Sequence, residues 1–312
     1  MNVLLLSMPD SFEHMPPVAI RMPNGALASL AGNIDPHHRV AIADLILVQS
    51  RVRATLERLV RDIEPDFVGL SVMTFQRTTA LKIARLIHAL RPSARIVVGG
   101  YDPTLAPEAY EACSDIEFIV RGEGEQTLCE LLRAIETAGD CRAIAGLSCR
   151  TRDGFVRNAA RPVLRLASDP LRLPNRDARV LAGYTLLGRT VDVVETSRGC
   201  TYDCSFCSII EMRGRNFHRY PIERVLADIA DARVHRADAI FLVDDNITLD
   251  IERFATLCQA IIDAGFNDAD YIVQGMTAPI AQHGARLGPL MRKAGFRYVF
   301  LGIENILDED LG

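Results

Sequence analysis

Short apolar runs alternate with amphipathic stretches along the first half of the chain. Runs such as Val3-Leu-Leu-Leu6 are continuously apolar, which predicts strands that are buried on both faces of a sheet. Between such runs apolar residues recur at helical spacing, for example Leu56, Leu59, Val60 and Ile63. This alternation predicts a doubly wound parallel sheet with helices on both faces. The predicted strands span residues 3–6, 39–43, 65–71, 95–100 and 117–120, and the predicted helices 24–32, 52–63, 78–90 and a last one ending near 138.

The second half repeats a strand and a helix at roughly the 30-residue period of a βα unit. This period predicts a parallel (β/α) barrel, or part of one, whose functional residues lie at the carboxyl ends of its strands. Those ends carry cysteines, then Asp244-Asp245-Asn246, then Glu304. The predicted strands span residues 191–194, 239–243, 271–274 and 298–303, and the predicted helices 222–234, 251–264 and 287–294.

A segment of different character joins the two halves. Leu147–Arg150 and Phe155-Val156 flank Asp153-Gly154, which predicts a small hairpin. Residues 161–179 hold three prolines and five arginines without a sustained period, which is typical of a linker. We therefore expect a Rossmann-like domain over residues 1–145, a hairpin and linker over 146–189, and a barrel core over 190–312.

Composition and charge exclude several classes of protein. The net charge is 35 − 40 = −5, which offers no electrostatic reason for a nucleic-acid partner. No apolar run approaches the roughly 20 residues of a membrane span, and the first residues lack the basic region of a signal peptide. Five of the eight cysteines are scattered, which fits small buried side chains in a reducing cytoplasm. The scattered cysteines are Cys113, Cys129, Cys141, Cys149 and Cys258.

Cys200, Cys204 and Cys207 carry the clearest chemical signal in the chain. Their C-x3-C-x2-C spacing places three thiolates on one loop directly after the apolar run Val191–Val194. Three thiolates can hold three irons of a [4Fe–4S] cube and leave the fourth iron open to a substrate or cofactor. The main alternative is zinc with a fourth ligand such as His218, although no second cysteine pair accompanies the motif.

Glycine-rich turns end three predicted strands of the first half. They are Val68-Gly-Leu-Ser71, Val97-Val-Gly-Gly100 and Gly122-Glu-Gly-Glu125, and each permits close approach of the backbone to a ligand. A nicotinamide site is disfavoured because no G-x-G-x-x-G follows the first strand. Glu123 and Glu125 have the alternative role of favouring a helix dipole. His37-His38, beside Pro36, is expected to be a solvated turn and not a metal site.

With Phe206 before the last cysteine, the loop resembles the C-x3-C-x-aromatic-C signature of the radical S-adenosylmethionine (radical SAM) superfamily. Phe241–Asn246 resembles the aspartate-rich second-strand motif of its B12-dependent members, and Gly302–Asn305 resembles their Gly-Ile-Glu-Ser, with Asn replacing Ser. The alternative for Asp244 and Asn246 is that they cap the next helix. The resemblance implies a cluster on Cys200, Cys204 and Cys207 and SAM contacts from Phe206, Asp244, Asp245 and Glu304.

Residues 1–140 look like the cobalamin-binding domain of those B12-dependent proteins, through the three glycine turns in that order and spacing. The D-x-H-x-x-G motif that supplies a histidine to cobalt is absent, so cobalamin would bind without a histidine ligand. The alternative is a Rossmann-like domain that has lost B12 binding. The cobalamin contacts implied by the resemblance are Ser71, Thr74, Gly99, Gly100, Gly122, Glu123 and Gly124.

The resemblance implies a B12-dependent radical SAM enzyme with three cofactors: a [4Fe–4S] cluster, SAM and cobalamin. Such an enzyme cleaves SAM reductively and transfers a methyl group to an unactivated carbon of a small-molecule substrate, using an electron donor such as flavodoxin or ferredoxin. Cyclisation or oxidation of a tetrapyrrole or natural-product ring is an alternative within the class. A non-catalytic cobalamin- or cluster-binding fragment is an alternative from another class. About four βα units follow Val191, whereas the superfamily's barrel has about six, so we expect a truncated barrel and an incomplete SAM pocket.

Overall fold

The computed structural model describes residues 1–9, 20–168 and 171–303. The chain forms two compact units, one of Met1–Leu164 with Leu171–Gly183 and the other of Arg165–Pro170 with Tyr184–Gly312. Both units are α/β, as predicted. In the described ranges, no helix combines the length and the apolar character needed to cross a bilayer.

The first unit has the strands and helices that the hydrophobic pattern predicts, with boundaries within a few residues. Its strands are β1 (Asn2–Ser7), β2 (Ile20–Arg21), β3 (Arg39–Asp44), β4 (Phe67–Ser71), β5 (Arg95–Gly99), β6 (Phe118–Val120), β7 (Leu147–Thr151) and β8 (Gly154–Arg157). Its helices are α1 (Gly25–Asn33), α2 (Val52–Ile63), α3 (Arg77–Leu90), α4 (Tyr101–Leu105), α5 (Glu108–Glu111) and α6 (Gly124–Glu136). Three 3₁₀ turns span Leu45–Arg51, Thr74–Gln76 and Cys141–Ala143.

The sheet of this unit runs in the order β3-β1-β4-β5-β6-β7-β8. The first five strands are parallel, and the predicted hairpin β7–β8 extends the sheet antiparallel to β6. The order therefore reverses between β1 and β4, and ligands of open α/β sheets bind outside the carboxyl ends of the strands at such a point. Ser7, Asp44 and Ser71 stand side by side at this edge.

Alternate residues of β1 enter two hydrophobic cores, which explains why the strand is apolar throughout. Leu4 and Leu6 belong to the core that also holds residues of α2 and α3, such as Leu56 and Ile83. Val3 and Leu5 belong to the other core, with residues of α1 and α6. Because side chains alternate across a strand, each face of the sheet is covered by its own pair of helices.

The second unit contains a parallel sheet whose neighbouring strands follow chain order, β10-β13-β14-β15, with β9 antiparallel to β10. Chain-order pairing through helical crossovers is the arrangement of a (β/α) barrel wall. Its strands are β9 (Thr185–Leu186), β10 (Arg189–Val194), β11 (Ser197–Arg198), β12 (His218–Arg219), β13 (Ala239–Leu242), β14 (Asp270–Met276) and β15 (Phe296–Gly302). Its helices are α7 (Ile209–Arg213), α8 (Ile222–Val234), α9 (Ile251–Asp263) and α10 (Thr277–Lys293), with a 3₁₀ turn at Ile247–Leu249.

Helix α10 differs most from its prediction. The sequence predicts a helix over 287–294, whereas α10 begins at Thr277 and continues through Pro289. Gly284, Gly288 and Pro289 disfavour a helix locally. Leu287 and Met291 are buried in the unit, and this packing outweighs the local preference.

Candidate functional site

The cysteine loop begins directly after β10, at the carboxyl end of the second unit's sheet. Antiparallel pairing of β11 with β12 closes the base of the loop, with Arg198 opposite His218. Cys200 and Cys204 are half-buried, Cys207 is exposed, and the Cys207 amide donates to the Cys204 carbonyl at 3.0 Å. This turn joins the second and third cysteines of the loop.

Gly199 lets the chain enter this loop. Its φ of 90° lies in the left-handed region, and a Cβ there would come within 2.4 Å of the Asn216 carbonyl oxygen. Only glycine combines this backbone conformation with such a close approach.

Asp244 and Asp245, at the end of β13, hold the start of the loop. The Asp244 carboxylate accepts from the Thr196 amide at 2.6 Å and the Ser197 hydroxyl at 2.6 Å, and it also accepts from the Thr196 hydroxyl. Asp245 accepts from the Gly199 amide at 2.7 Å and lies 3.6 Å from the Arg213 guanidinium. The two carboxylates therefore position the backbone that leads into Cys200.

Among the carboxylates near the loop, Asp244 has the largest shift of its pKa. Burial raises its pKa to about 6, against the opposing effect of the hydrogen bonds from Ser197 and Thr196. A buried carboxylate with a raised pKa at the carboxyl end of a strand is a physical marker of a functional site.

Asn246 contacts the first cysteine of the loop. Its side-chain amide lies 3.7 Å from Cys200 Sγ and 3.0 Å from Met276 Sδ, and its carbonyl oxygen accepts from the Thr248 hydroxyl at 2.8 Å. The capping alternative for Asp244 and Asn246 is wrong, because Asp250 caps α9 through the Arg253 amide at 3.0 Å. The 3₁₀ turn at Ile247–Leu249 separates the strand end from that helix.

The zinc alternative does not match the arrangement of this loop. Ligand atoms around a tetrahedral zinc ion lie within about 4 Å of one another, because zinc–ligand bonds are about 2.0–2.3 Å long. Over the described ranges, three His, Cys, Asp or Glu side chains gather within 4.8 Å of one another only at Asp35, His37 and His38, and not at the cysteine loop. The three loop thiols are therefore not gathered at the spacing of a single tetrahedral ion.

The other two predicted SAM contacts are Phe206 and Glu304. Phe206 is 66% exposed, so its ring is free to contact a ligand at the cysteine loop. Glu304 lies outside the described residues.

In the first unit, Ser71 and Gly99-Gly100 lie on adjacent parallel strands at the carboxyl edge. Gly100 has a φ of 99°, and a Cβ there would meet the Val72 backbone nitrogen at 3.0 Å. The Ser71 hydroxyl accepts from the Asn24 amide group at 3.3 Å. This edge has the tight backbone turn that the sequence predicts.

Asn24, Ser7 and Asp44 complete this edge, and sequence reasoning missed them. Asn24 caps α1 by accepting from the Leu27 amide at 3.1 Å, and Asp44 accepts from the Ser7 hydroxyl at 2.6 Å and from the Asn24 amide at 3.4 Å. Their signal in the sequence is weak, because each is a single polar residue at a predicted element boundary.

Gly122, Glu123 and Gly124 lie between β6 and α6. Gly122 has a φ of 77° and open space around its Cα, and its amide donates to the Thr104 hydroxyl at 3.0 Å. Glu123 is engaged within the protein, since its carboxylate accepts from the Leu164 amide at 2.8 Å. A Cβ on Gly124 would come within 3.0 Å of Leu30, so this glycine allows close packing.

Thr74 joins a buried polar network below the same edge. Asp102 accepts from the Arg77 guanidinium at 2.8 and 2.7 Å, from the Tyr110 hydroxyl at 2.5 Å and from Thr74. Burial opposes the charge, yet the hydrogen bonds from Arg77 and Tyr110 leave the pKa of Asp102 below its usual value. The network anchors the turn after β4 to the turn after β5.

Three comparisons with known proteins bear on this arrangement. A family model described as B12 binding domain matches residues 13–132. An uncharacterized methyltransferase of Pyrococcus horikoshii is 28% identical over 308 residues, covering 98% of this chain and 66% of its own length. The anaerobic magnesium-protoporphyrin IX monomethyl ester cyclase of Cereibacter sphaeroides is 28% identical over 299 residues, covering 93% of this chain and 47% of its own length.

Solved structures have the same fold. The radical SAM methyltransferase TsrM of Kitasatospora setae, determined with cobalamin and a [4Fe–4S] cluster, matches with a TM-score of 0.77 at 23% identity, over 99% of this chain and 62% of that one. OxsB, a cobalamin-dependent SAM radical enzyme determined with aqua-cobalamin and SAM, matches with a TM-score of 0.73 at 20% identity, over 99% and 44%. The chain thus spans between less than half and about two thirds of the length of these proteins. Residues 13–132 therefore match the B12 binding domain model, and the chain has the same fold as these two solved proteins.

Proposed function

We propose that this chain belongs to a B12-dependent radical SAM enzyme and binds cobalamin, a [4Fe–4S] cluster and SAM. The observation that carries the proposal is the cysteine loop at the carboxyl end of a (β/α) sheet, with Cys207 exposed and Cys200 and Cys204 half-buried, in a chain whose residues 13–132 match a B12 binding domain model. In cofactor enzymes the reaction chemistry resides in the cofactors, so the protein's part is to bind them, orient them and exclude water.

Cys200, Cys204 and Cys207 would ligate the cluster, which supplies the electron for cleavage of SAM. Asp245 and Asn246 would position the loop through Gly199 and Cys200. Asp244 stays close to the loop backbone, while Phe206, which is exposed, and Asp245, which is part-buried, would contact SAM at the open iron. Hydrogen bonds near cluster sulfurs tune the reduction potential of a cluster, and Asn246 is placed to make one.

Ser71, Thr74, Gly99 and Gly100 would form one side of the cobalamin site, with Gly122, Glu123 and Gly124 at the next strand end. Gly122 would leave room for a large ligand, because a Cβ there faces open space, and Gly100 allows the backbone to turn closely against Val72. Asn24 and Asp44 would hold this edge through Ser71 and Ser7. Bound cobalamin would supply a methyl group.

Methyl transfer to an unactivated carbon is the first candidate reaction. The relatives whose names describe methyl transfer, including TsrM and the Pyrococcus protein, support it. Ring formation on a tetrapyrrole is the second candidate, because the cyclase of Cereibacter sphaeroides matches this chain at the same identity.

Anaerobic reconstitution with iron, sulfide and hydroxocobalamin tests the binding proposal. We expect about four irons per chain, a cobalamin absorption spectrum, and an EPR signal of the reduced cluster that changes when SAM is added. Replacing Cys200, Cys204 and Cys207 together by alanine should abolish the cluster. Cys141→Ala, a half-buried cysteine outside the loop, is the control and should keep it. A cluster that survives the triple replacement would refute the ligand assignment.

Turnover is tested separately with the loaded chain, SAM and a one-electron reductant. Release of 5′-deoxyadenosine or S-adenosylhomocysteine marks an enzyme. Cofactor binding without either product would favour the non-catalytic alternative. A colourless chain that binds zinc in place of iron would refute the proposal altogether.

A further inference from the structure

Asn246 follows β13 and contacts both the cysteine loop and the end of β14. Its side-chain nitrogen is 3.7 Å from Cys200 Sγ and 3.0 Å from Met276 Sδ, and Met276 is the last residue of β14. Asn246 is only 4% exposed, and a buried amide group needs partners within the protein because an unpaired donor is costly. The two sulfur atoms are therefore the partners of the two amide hydrogens.

Thr248 determines which way the Asn246 side chain faces. The Thr248 hydroxyl donates to Asn246 Oδ1 at 2.8 Å and accepts from the Met276 backbone amide at 3.0 Å. A hydroxyl has one hydrogen to donate, and this arrangement directs it to the asparagine oxygen. The reversed amide would place its oxygen against two sulfur atoms, which are also acceptors. The nitrogen of Asn246 therefore faces Cys200.

Packing around Thr248 keeps its hydroxyl in this position. Thr248 is 2% exposed and lies in the 3₁₀ turn at Ile247–Leu249. Its methyl group lies next to Gly275, since a Cβ on that glycine would come within 2.8 Å of Thr248 Cγ2. A threonine side chain has few favourable χ1 angles, so packing that fixes the methyl group also fixes the hydroxyl.

The simplest role for these contacts is to join the ends of β13 and β14. That role needs the hydrogen bond between Thr248 and the Met276 amide, and it does not need the amide hydrogens of Asn246 to face a cysteine. The contact with Cys200 Sγ therefore indicates a second role. Hydrogen bonds to ligand sulfurs are among the properties that set the reduction potential of an iron–sulfur cluster.

We infer that Thr248 is a positioning residue, which holds Asn246 as a hydrogen-bond donor to the Cys200 thiolate and thereby raises the reduction potential of the cluster. This inference rests on the proposed function, in which Cys200 ligates the cluster. Reduction adds one electron to the cluster without making or breaking a bond. A hydrogen bond is stronger when its acceptor is more negative, so this donor stabilises the reduced form more than the oxidised form.

Reductive titration of the cluster-loaded full chain with dithionite, without SAM, tests the inference through the EPR signal of the reduced cluster. Asn246→Leu removes the donor and should lower the one-electron reduction equilibrium by about tenfold, or about 59 mV, the order of one net hydrogen bond. Thr248→Val keeps the methyl group beside Gly275 and removes the hydroxyl, so the midpoint potential should fall by a smaller amount.

Two further variants separate positioning from a general loss of structure. Thr248→Ser keeps the hydroxyl and should have the potential of the wild type. Thr256→Val makes the same chemical change on α9, where the threonine hydroxyl donates to the Glu252 carbonyl at 2.9 Å, and it should also leave the potential unchanged. Asn246→Ala and Thr248→Ala remove the same groups with smaller side chains, and they repeat the comparison if the first pair takes up less iron.

The double variant of Asn246→Leu and Thr248→Val tests whether Thr248 acts through Asn246. Its potential should equal that of Asn246→Leu alone, whereas two effects that add would contradict the inference. Equal potentials in wild type, Asn246→Leu and Thr248→Val would overturn it and leave the proposed function standing, because the cluster is then present. A wild-type chain that takes up no cluster would refute the proposed function, and this inference with it.

Discussion

Gly199 is the residue that precedes the first cysteine, and its left-handed backbone leaves no room for a side chain. A Cβ would lie 2.4 Å from the Asn216 carbonyl oxygen and 2.6 Å from its side-chain oxygen. Asn216 lies between α7 and β12, so the clash would displace the two ends of the cysteine loop from each other. The loop's geometry therefore depends on a glycine that is not part of the cysteine spacing.

Gly199→Ala should destabilise the second unit by about 2 kcal/mol or more, the combined effect of left-handed strain and the contact with Asn216. The measurement is urea denaturation followed by circular dichroism, together with the iron content after reconstitution, which should fall. Gly265→Ala is the control, because Gly265 has a φ of 69° with open space and carries only the backbone strain. Equal losses in the two variants would contradict the role of Asn216.

The raised pKa of Asp244 predicts that the stability of the chain depends on pH. Burial raises its pKa to about 6, above the ordinary value of 3.8, so the folded chain binds more protons than the unfolded chain between these values. Its contribution to the free energy of unfolding is therefore complete below about pH 4 and is lost as the pH rises through about 6.

The difference in unfolding free energy between wild type and Asp244→Asn isolates this effect, since asparagine does not titrate. Denaturation of the cofactor-free chain at several values from pH 4 to pH 7 should show the wild type losing stability relative to the variant as the pH rises. Two parallel profiles would count against the raised pKa.

At the scale of elements, strand β15 differs from the other strands of its sheet. Among the described residues 1–9, 20–168 and 171–303 it pairs with β14 alone, and its residues from Arg297 to Leu301 are exposed, including Tyr298 at 43% and Leu301 at 41%. An exposed apolar strand at a sheet edge can pair with another chain.

Leu301→Lys should therefore reduce self-association of the purified chain, because a charge on an edge strand opposes pairing. Analytical ultracentrifugation over a range of protein concentrations measures the change. Val234→Lys adds the same charge at a residue that is 78% exposed at the end of α8, and it should leave association unaltered. If both substitutions act alike, net charge and not the edge of β15 explains the result.

At the scale of the whole molecule, the two predicted cofactor sites lie on separate compact units. Under the proposed function, Gly100→Ala should weaken cobalamin binding, because its Cβ would meet the Val72 backbone, while the iron content stays the same. Replacing the three loop cysteines should lower the iron content and leave cobalamin binding the same. Cobalamin absorbance and iron analysis of each variant measure both, with Gly154→Ala, a left-handed glycine in open space, as control. Loss of both cofactors in either variant would argue against separate sites.

The sequence by itself determined the principal strands and helices of both units, apart from the start of α10, and the spacing of Cys200, Cys204 and Cys207. Hydrophobic periodicity and motif spacing are local properties, and the burial of β1 on both faces shows directly in its continuous apolar run. The three glycine turns, taken together with the cysteine loop downstream, indicated a cobalamin-binding domain, and residues 13–132 match that family model.

Only the tertiary structure decided which polar residues meet. Asn24 reaches Ser71 across 47 residues, Glu136 reaches His37 across 99, and Asp244 reaches Thr196 across 48. It also moved the start of α10 to Thr277, where packing of Leu287 and Met291 prevails over glycine and proline. Contacts of this kind depend on the register of neighbouring strands and on packing between distant segments. They therefore cannot be predicted from the residues of one segment alone.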